Sequence, residues 1–160
     1  LRVRFDCQDT SIWGNHLRRD DPIYEEEAVE IFIAPGDADP ARYFEFEVSP
    51  DGVLWDGIID NPTLDGAQFK GNTAWNCEGV HWKAERNDAR NTWHVWIALP
   101  LKELAGGDTI PTTWRANFYR IDRPYLNKDD RMAEFSCWSP TLTSPASFHQ
   151  PRMFGTLELG

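Results

Sequence analysis

Apolar and polar residues alternate through this chain in short runs, and Pro or Gly cuts one run from the next. Side chains of a strand point to opposite faces in turn, so each run reads as a strand with one apolar face. Leu1, Val3, Phe5 and Cys7 alternate with Arg2, Arg4 and Asp6. In Ala28–Ala34, Val29, Ile31 and Ile33 share one face, and Glu30 and Phe32 the other. In Arg42–Val48, Phe44, Phe46 and Val48 oppose Glu45 and Glu47. Pro50-Asp51-Gly52 then makes a tight turn, Pro presetting φ and Gly accepting a positive one, into a hairpin partner at Val53–Ile59. A loop-rich stretch follows to about Glu78. Val80–Glu85 and Thr92–Leu99 are the next strands. In the second of these Trp93, Val95, Ile97 and Leu99 fill one face and Trp96 sits on the other, which predicts a central strand covered on both sides. Pro100–Leu104 reads as one helical turn ended by Gly106-Gly107. Trp114–Asp122, Met132–Trp138 and Phe154–Leu159 complete the set. No long segment carries a 3.6-residue period. The expected class is all-β: an antiparallel β-sandwich, jelly-roll or immunoglobulin-like, of about eight or nine strands.

The chain's 160 residues fit one domain. Its net charge of −10 argues against nucleic acid or an anionic membrane as partner, because the long-range field repels both. No apolar run approaches the roughly 20 residues of a membrane helix, and the opening LRVRFDC alternates rather than forming a secretory leader. Cys7, Cys77 and Cys137 lie far apart with no CxxC pair, which excludes a zinc ribbon or thioredoxin-type motif. Buried free thiols are the expected state.

Familiar catalytic signatures are missing: no GxSxG, HExxH, GxGxxG or phosphate loop. His16, His81, His94 and His149 never fall at metal-ligand spacing, and His149 stands in an aromatic loop flanked by Pro. The run Glu25-Glu26-Glu27, with Asp20, Asp21, Asp37, Asp39, Asp129 and Asp130 in other loops, offers the oxygen ligands calcium takes, without EF-hand spacing. Glu30, Glu45 and Glu47 share a sheet face and offer the paired carboxylates of a glycosidase. The chain is rich in aromatics, with eight Trp, nine Phe and four Tyr. Most suit a β core, and the rest suit stacking against flat ligand faces. Tyr24, Trp55, Trp138 and Phe148 lie at strand ends or in loops, while Glu30, Glu45, Asn117 and Arg120 lie within strands. Sugars are recognised by this combination of rings and fixed polar groups.

The segments YEEEAVEIFIAP (Tyr24–Pro35), RYFEFEVSPDGVLWD (Arg42–Asp56), WRANFYRIDR (Trp114–Arg123) and FSCWSPTLTSPASFHQPRMFGTLEL (Phe135–Leu159) together resemble the family 9 carbohydrate-binding modules, and more closely their bacterial "family 9-like" relatives. The resemblance implies a DOMON-like β-sandwich that binds the ends of plant-polysaccharide chains without catalysis, in an extracellular or periplasmic setting. The family's two clamping tryptophans fall at Tyr24 and Phe148, both aromatic here. Its hydroxyl-binding acid falls at Glu30, a ligand arginine at Glu45, and a ligand amide near Pro145. Several members carry calcium. Family domains open with one or two further strands, so the chain is expected to start inside the third and to leave an edge strand that favours self-association.

The expected site therefore stacks a sugar on Tyr24 and Phe148, binds hydroxyls through Glu30 and Glu45, and orients them with Asn117 and Arg120. Trp138 braces the loop or extends the platform, beside His149. Rival readings are an interaction module without a small ligand, the glycosidase, and a haem domain using His149 with Met153 or Met132 as axial ligands.

Overall fold

The computed structural model describes residues 1–124 and 128–160. Ten strands stand among them: β1 (Arg2–Gln8), β2 (Ala28–Pro35), β3 (Arg42–Val48), β4 (Leu54–Asp60), β5 (Lys70–Asn72), β6 (His81–Asn87), β7 (Thr92–Ala98), β8 (Thr113–Asp122), β9 (Glu134–Cys137) and β10 (Gly155–Glu158). They form two antiparallel sheets, a small one ordered β1-β7-β6 and a large one ordered β10-β8-β2-β3-β4-β5. The first half of β8 pairs with β10 and its second half with β9. One short helix, α1 (Leu101–Ala105), is closed by Gly106 at φ +70°.

The strands predicted from alternation are all present, within one or two residues at each end. The tenth, β5, lies in the stretch read as loop. It is three residues long, polar and exposed, so no apolar face betrays it, and only its pairing with β4 makes it a strand. β7 is central to its sheet, but only one of its faces is covered by another layer. Trp96 on the outer face is flanked by the cations of Arg4 and Lys83, 5.2 and 5.9 Å from its ring, rather than by a further element. Cys7, Cys77 and Cys137 are free thiols. Burial raises the pKa of the first two, to about 11 and about 12.

The main core lies between the sheets. Val29, Ile31 and Ile33 of β2, Phe46 and Val48 of β3, and Trp114 and Ala116 of β8 meet Trp93, Val95 and Ile97 of β7 there, all essentially without solvent exposure. The alternation then sends Glu30 and Phe32, Tyr43, Glu45 and Glu47, Trp55 and Ile59, and Tyr119 to the other face of the large sheet. That face is not left to water. Phe32, Tyr43, Trp55, Ile59, Tyr119 and Phe154 form a second apolar cluster on it, joined by Ile23 from the single turn Ile23–Glu25. A sheet buried on both faces is unusual for antiparallel strands, which commonly keep one face wet. Here loops supply the outer layer.

Two residues along β4, Trp55 and Gly57 share that outer face, and the indole lies flat across the glycine. A Cβ at Gly57 would stand 2.9 Å from Cη2 of Trp55 and 3.2 Å from the carbonyl oxygen of Asn72. Gly57→Ala should therefore lower stability by about 1–3 kcal/mol, as overpacking does, and tilt the indole. Chemical denaturation and near-UV circular dichroism read the two effects separately.

Candidate functional site

The outer face of the large sheet opens into a cavity of about 530 Å³. Its floor is the strip Glu30, Glu45 and Glu47, with Phe32 beside them. β2 and β3 pair so that Glu30 stands opposite Glu47, and Glu45 follows two residues along on the same face. Its walls are aromatic: Tyr24 on one side, and Trp55, Phe69, Phe135, Phe148 and His149 around the rest. Buried Arg123 and exposed Asp130 also belong to the lining.

The wall rings are held by rings behind them. Phe148 stacks on Tyr119 at 4.1 Å and meets the edge of Phe135 at 5.6 Å. His149 is stacked between Phe69 at 3.7 Å and Phe32 at 5.1 Å. The hydroxyl of Tyr43 lies 2.7 Å from its Nδ1. Burial lowers the His149 pKa to about 4, so the ring is neutral at pH 7. The imidazole that the rival haem reading would use as an axial ligand is a member of an aromatic stack. Tyr24 differs: it keeps 45% of its surface exposed and stands free to meet a ligand.

Backbone anchors fix the loop that carries Phe148 and His149. Tyr119 donates its hydroxyl to the Phe148 carbonyl at 3.0 Å, and Asn61 donates Nδ2 to the His149 carbonyl at 3.1 Å. Asn117, fully buried, clasps the same loop further back. Its Nδ2 donates to the Ser139 carbonyl at 2.8 Å, and its Oδ1 accepts from the Ser139 N–H at 2.9 Å.

The floor carboxyls are almost completely buried, at 2%, 5% and 1% exposure for Glu30, Glu45 and Glu47. Burial pushes Glu45 up to about 8. It raises Glu30 and Glu47 well above the usual carboxylate range, and the neighbouring carboxylates raise both further. Oε2 of Glu45 and Oε2 of Glu47 are buried without a hydrogen-bond partner.

Of the residues expected at a site, Tyr24, Glu30, Glu45, Phe148 and His149 therefore converge on one slot. Asn117 faces the same side of β8 but is spent on Ser139. Arg120 and Trp138 belong to the opposite face. Arg120 lies over the Trp93 ring at 5.8 Å and donates to the Gln8 carbonyl at 3.0 Å, to Asp9 at 3.0 Å and to Asp122 at 2.9 Å. Trp138 meets the edge of Phe118, a residue turned toward the small sheet, and covers Gly155, where a Cβ would stand 2.2 Å from its Cζ3. Sequence reasoning left out Phe69 and Arg123, and it named Glu47 on the acidic face and Trp55 among the strand-end aromatics without assigning either to the sugar site. The alternation that puts Glu45 on this face signals Glu47 as well. Phe69 and Arg123 lie outside any periodic run.

Of the loop acids that could offer oxygens to calcium, Glu25 and Glu26 are engaged within the protein. Glu26 accepts from the Asn15 N–H at 2.6 Å and pairs with Lys128 at 3.3 Å, and Glu25 pairs with Lys128 at 3.2 Å. Among the described residues one carboxylate trio converges closely enough for a shared ion: Asp9, Glu27 and Asp122, each with an oxygen within 4.8 Å of the others. The Arg120 guanidinium already lies between Asp9 and Asp122. Burial, and then Asp9 and Asp122, push Glu27 up to about 10. A second cavity, of about 580 Å³, opens next to this trio. It has a polar lining of Gln8, Asp9, Thr10, Ser11 and Asn91, and it lacks the aromatic walls of the first.

Comparison with known proteins adds three findings. The model of carbohydrate-binding family 9 matches residues 1–159. A protein of Arthroderma benhamiae named "Extracellular protein" is 33% identical over 161 residues, covering 96% of this chain and 71% of that protein. Two solved structures share the fold. A Bacteroides uniformis protein described as carbohydrate-binding superposes with a TM-score of 0.64 at 20% identity, covering 99% of this chain and 71% of its own. A family 9 module from Caldicellulosiruptor kristjanssonii, in complex with cellotriose, superposes with a TM-score of 0.58 at 12% identity, covering 99% and 68%.

Two outcomes follow from the anchoring and the charges. Asn117→Ala leaves the half-buried backbone of Ser139 without its two Asn117 partners and should cost about 1 kcal/mol by chemical denaturation. Glu27 holds its proton more tightly folded than unfolded. Its stabilising protonation is fully present below about pH 4.5 and is lost as pH rises toward about 10. The melting temperature of Glu27→Gln should therefore fall less than that of the parent between those limits, in parallel pH series.

Proposed function

This chain belongs to carbohydrate-binding family 9, and we propose on that premise that the aromatic-walled slot of this single module binds an oligosaccharide and performs no reaction on it. One observation carries the reading. Exposed Tyr24 and the braced ring of Phe148 wall the same cavity whose floor presents buried carboxyl oxygens without partners. Sugar rings offer apolar C–H faces to aromatic plates and hydroxyls to fixed acceptors, so such a cavity suits both halves of the ligand. Tyr24 and Phe148 take the ring faces, with Trp55 and the Phe69–His149 stack as further surface. Glu30 and Glu45, with Glu47, take the hydroxyls.

The relative that holds cellotriose supports a fragment of a plant glucan or xylan as ligand. The name of the Arthroderma benhamiae relative supports a setting outside the cell. The absence of catalysis rests on the floor. Glycoside hydrolysis needs an acid and a base on opposite sides of the scissile bond, about 5–10 Å apart. Here the three carboxyls lie along one strip of two adjacent strands, on one side of the slot rather than across it.

Isothermal titration with cellotriose and xylotriose tests the reading. Binding of at least one is expected. Tyr24→Ala and Phe148→Ala should each weaken it about tenfold, or ~1.4 kcal/mol. Trp138→Ala, outside the slot, should leave it within about twofold. No heat from either sugar with the folded protein overturns a glucan or xylan fragment as ligand, and binding by the Tyr24→Ala and Phe148→Ala variants equal to that of the parent overturns the site.

A further inference from the structure

The floor of the slot is short of positive charge. Like charges directly across two strands repel, yet Glu30 and Glu47 stand in that relation, with Glu45 next in line. None of the three forms an ion pair among the described residues. The slot's lining holds four acids, Glu30, Glu45, Glu47 and Asp130, against one permanent cation, Arg123. That cation acts on Glu30 through its charge, but its ion pair and its hydrogen bonds go elsewhere. It pairs with Asp130 at 2.6 Å and donates to the carbonyls of Lys128 at 3.1 Å and Tyr24 at 3.3 Å. The nearby Lys128 ammonium serves Glu25 and Glu26, and His149 is neutral in its stack. The remaining titratable groups at or beside the floor, Tyr24, Tyr43 and Tyr119, are phenols and bring no positive charge.

A bare metal ion does not answer the deficit. Among the described residues only Asp9, Glu27 and Asp122 gather oxygens closely enough to share one, and they lie on the other face of the sheet beside Arg120. The floor carboxyls instead spread along a strip, with neighbours roughly 5 Å apart across strands and about 7 Å apart diagonally. That spacing suits a compact charged donor held at a fixed place on a larger flat body. An ammonium has three donors and no acceptor, which matches carboxyl oxygens without partners. Charge-assisted hydrogen bonds of this kind are about twice as strong as neutral ones.

Resting on the carbohydrate reading above, we propose that the slot selects a sugar bearing a free amine, a hexosamine unit of a deacetylated glycan, over a neutral sugar of the same size. The ring lies against Tyr24 and Phe148, and its ammonium sits on the strip between Glu45 and Glu47. Burial holds the unliganded Glu45 protonated to about pH 8, so the ammonium displaces bound proton as it enters. Binding then releases protons to the buffer.

The test is calorimetric titration of the full chain with the β-1,4 disaccharide of glucosamine, its di-N-acetylated form and cellobiose, near pH 6.5, where a sugar amine is largely protonated. The amine form should bind at least about tenfold more tightly than either neutral form. Its measured heat should vary with the ionisation heat of the buffer, reporting proton release. Raising salt should narrow the gap, since charge carries it. Glu45→Gln and Glu47→Gln, each of which replaces a carboxyl that burial pushes toward its protonated form by a neutral amide of similar shape and so should fold, should each cut the amine-to-cellobiose ratio to below about threefold. Cellobiose or the acetylated sugar binding as tightly as the amine overturns this inference and leaves the carbohydrate reading standing. An amine preference that survives both glutamine variants also overturns it. Heat from none of the three sugars overturns both.

Discussion

The pairing of β2 with β3 sets everything else. Val29, Ile31 and Ile33 can reach the inter-sheet core together with Phe46 and Val48 only in one register, and that register lines Glu30 up with Glu47 on the opposite face. Because the side-chain period is two, a slip by one residue would carry carboxyls into the core and branched aliphatics out of it. The apolar residues therefore fix where the acids go. The arrangement of the slot floor is a consequence of core packing, and no interaction within the slot is needed to explain it.

The walls follow a different rule. The segment between β9 and β10 has little regular secondary structure, yet it covers a buried face, and its backbone groups need partners. Side chains rising from the sheet supply them. Asn117 clasps Ser139, Tyr119 reaches Phe148, and Asn61 reaches His149. Close packing adds to this at Gly66, where a Cβ would stand 3.0 Å from the His149 carbonyl and φ is +76°. Ligand-facing rings on an irregular loop are thus held by residues that do not themselves face the ligand. Asn117 shows how a polar residue on the right face of the right strand serves as an anchor rather than a contact.

How much of this was legible in the sequence follows from the same two rules. The strands and the faces of β2 and β3 are written in strict alternation, so Glu30 and Glu45 land where expected. β8 also alternates, with Trp114, Ala116 and Phe118 toward the core. That parity already separates Asn117 from Arg120, which differ by an odd number of positions and so face opposite ways. Grouping them as one site ignored a signal the sequence carried. β5, Phe69 and the covering of the outer face by loops carry no periodic signal, because they depend on where distant segments pack. The exposure of the acids misleads for the same reason. Alternating Glu on a strand looks solvated until the covering segments are placed, and only then is the floor seen to be buried.

The large sheet meets the problem of buried acid twice, once on each face, and solves it differently. On the core side Asp9, Glu27 and Asp122 enclose Arg120, whose guanidinium pairs with two of them and lies over Trp93. Two of the three carboxylates are paired within the fold, while Glu27 is pushed toward its protonated form, and the cluster joins β1, β8 and the start of β2. On the slot side no cation forms an ion pair with the three acids among the described residues, although Arg123 lines the same cavity and its charge acts on Glu30, and their strip opens to that cavity. Leaving a polar group buried without a partner costs about 1–3 kcal/mol, so an uncompensated group is retained more readily where binding can compensate it. The difference lies in the ion pairs: the guanidinium of Arg120 contacts Asp9 and Asp122 directly, whereas Arg123 makes its ion pair with Asp130 and leaves the floor carboxyls facing the cavity.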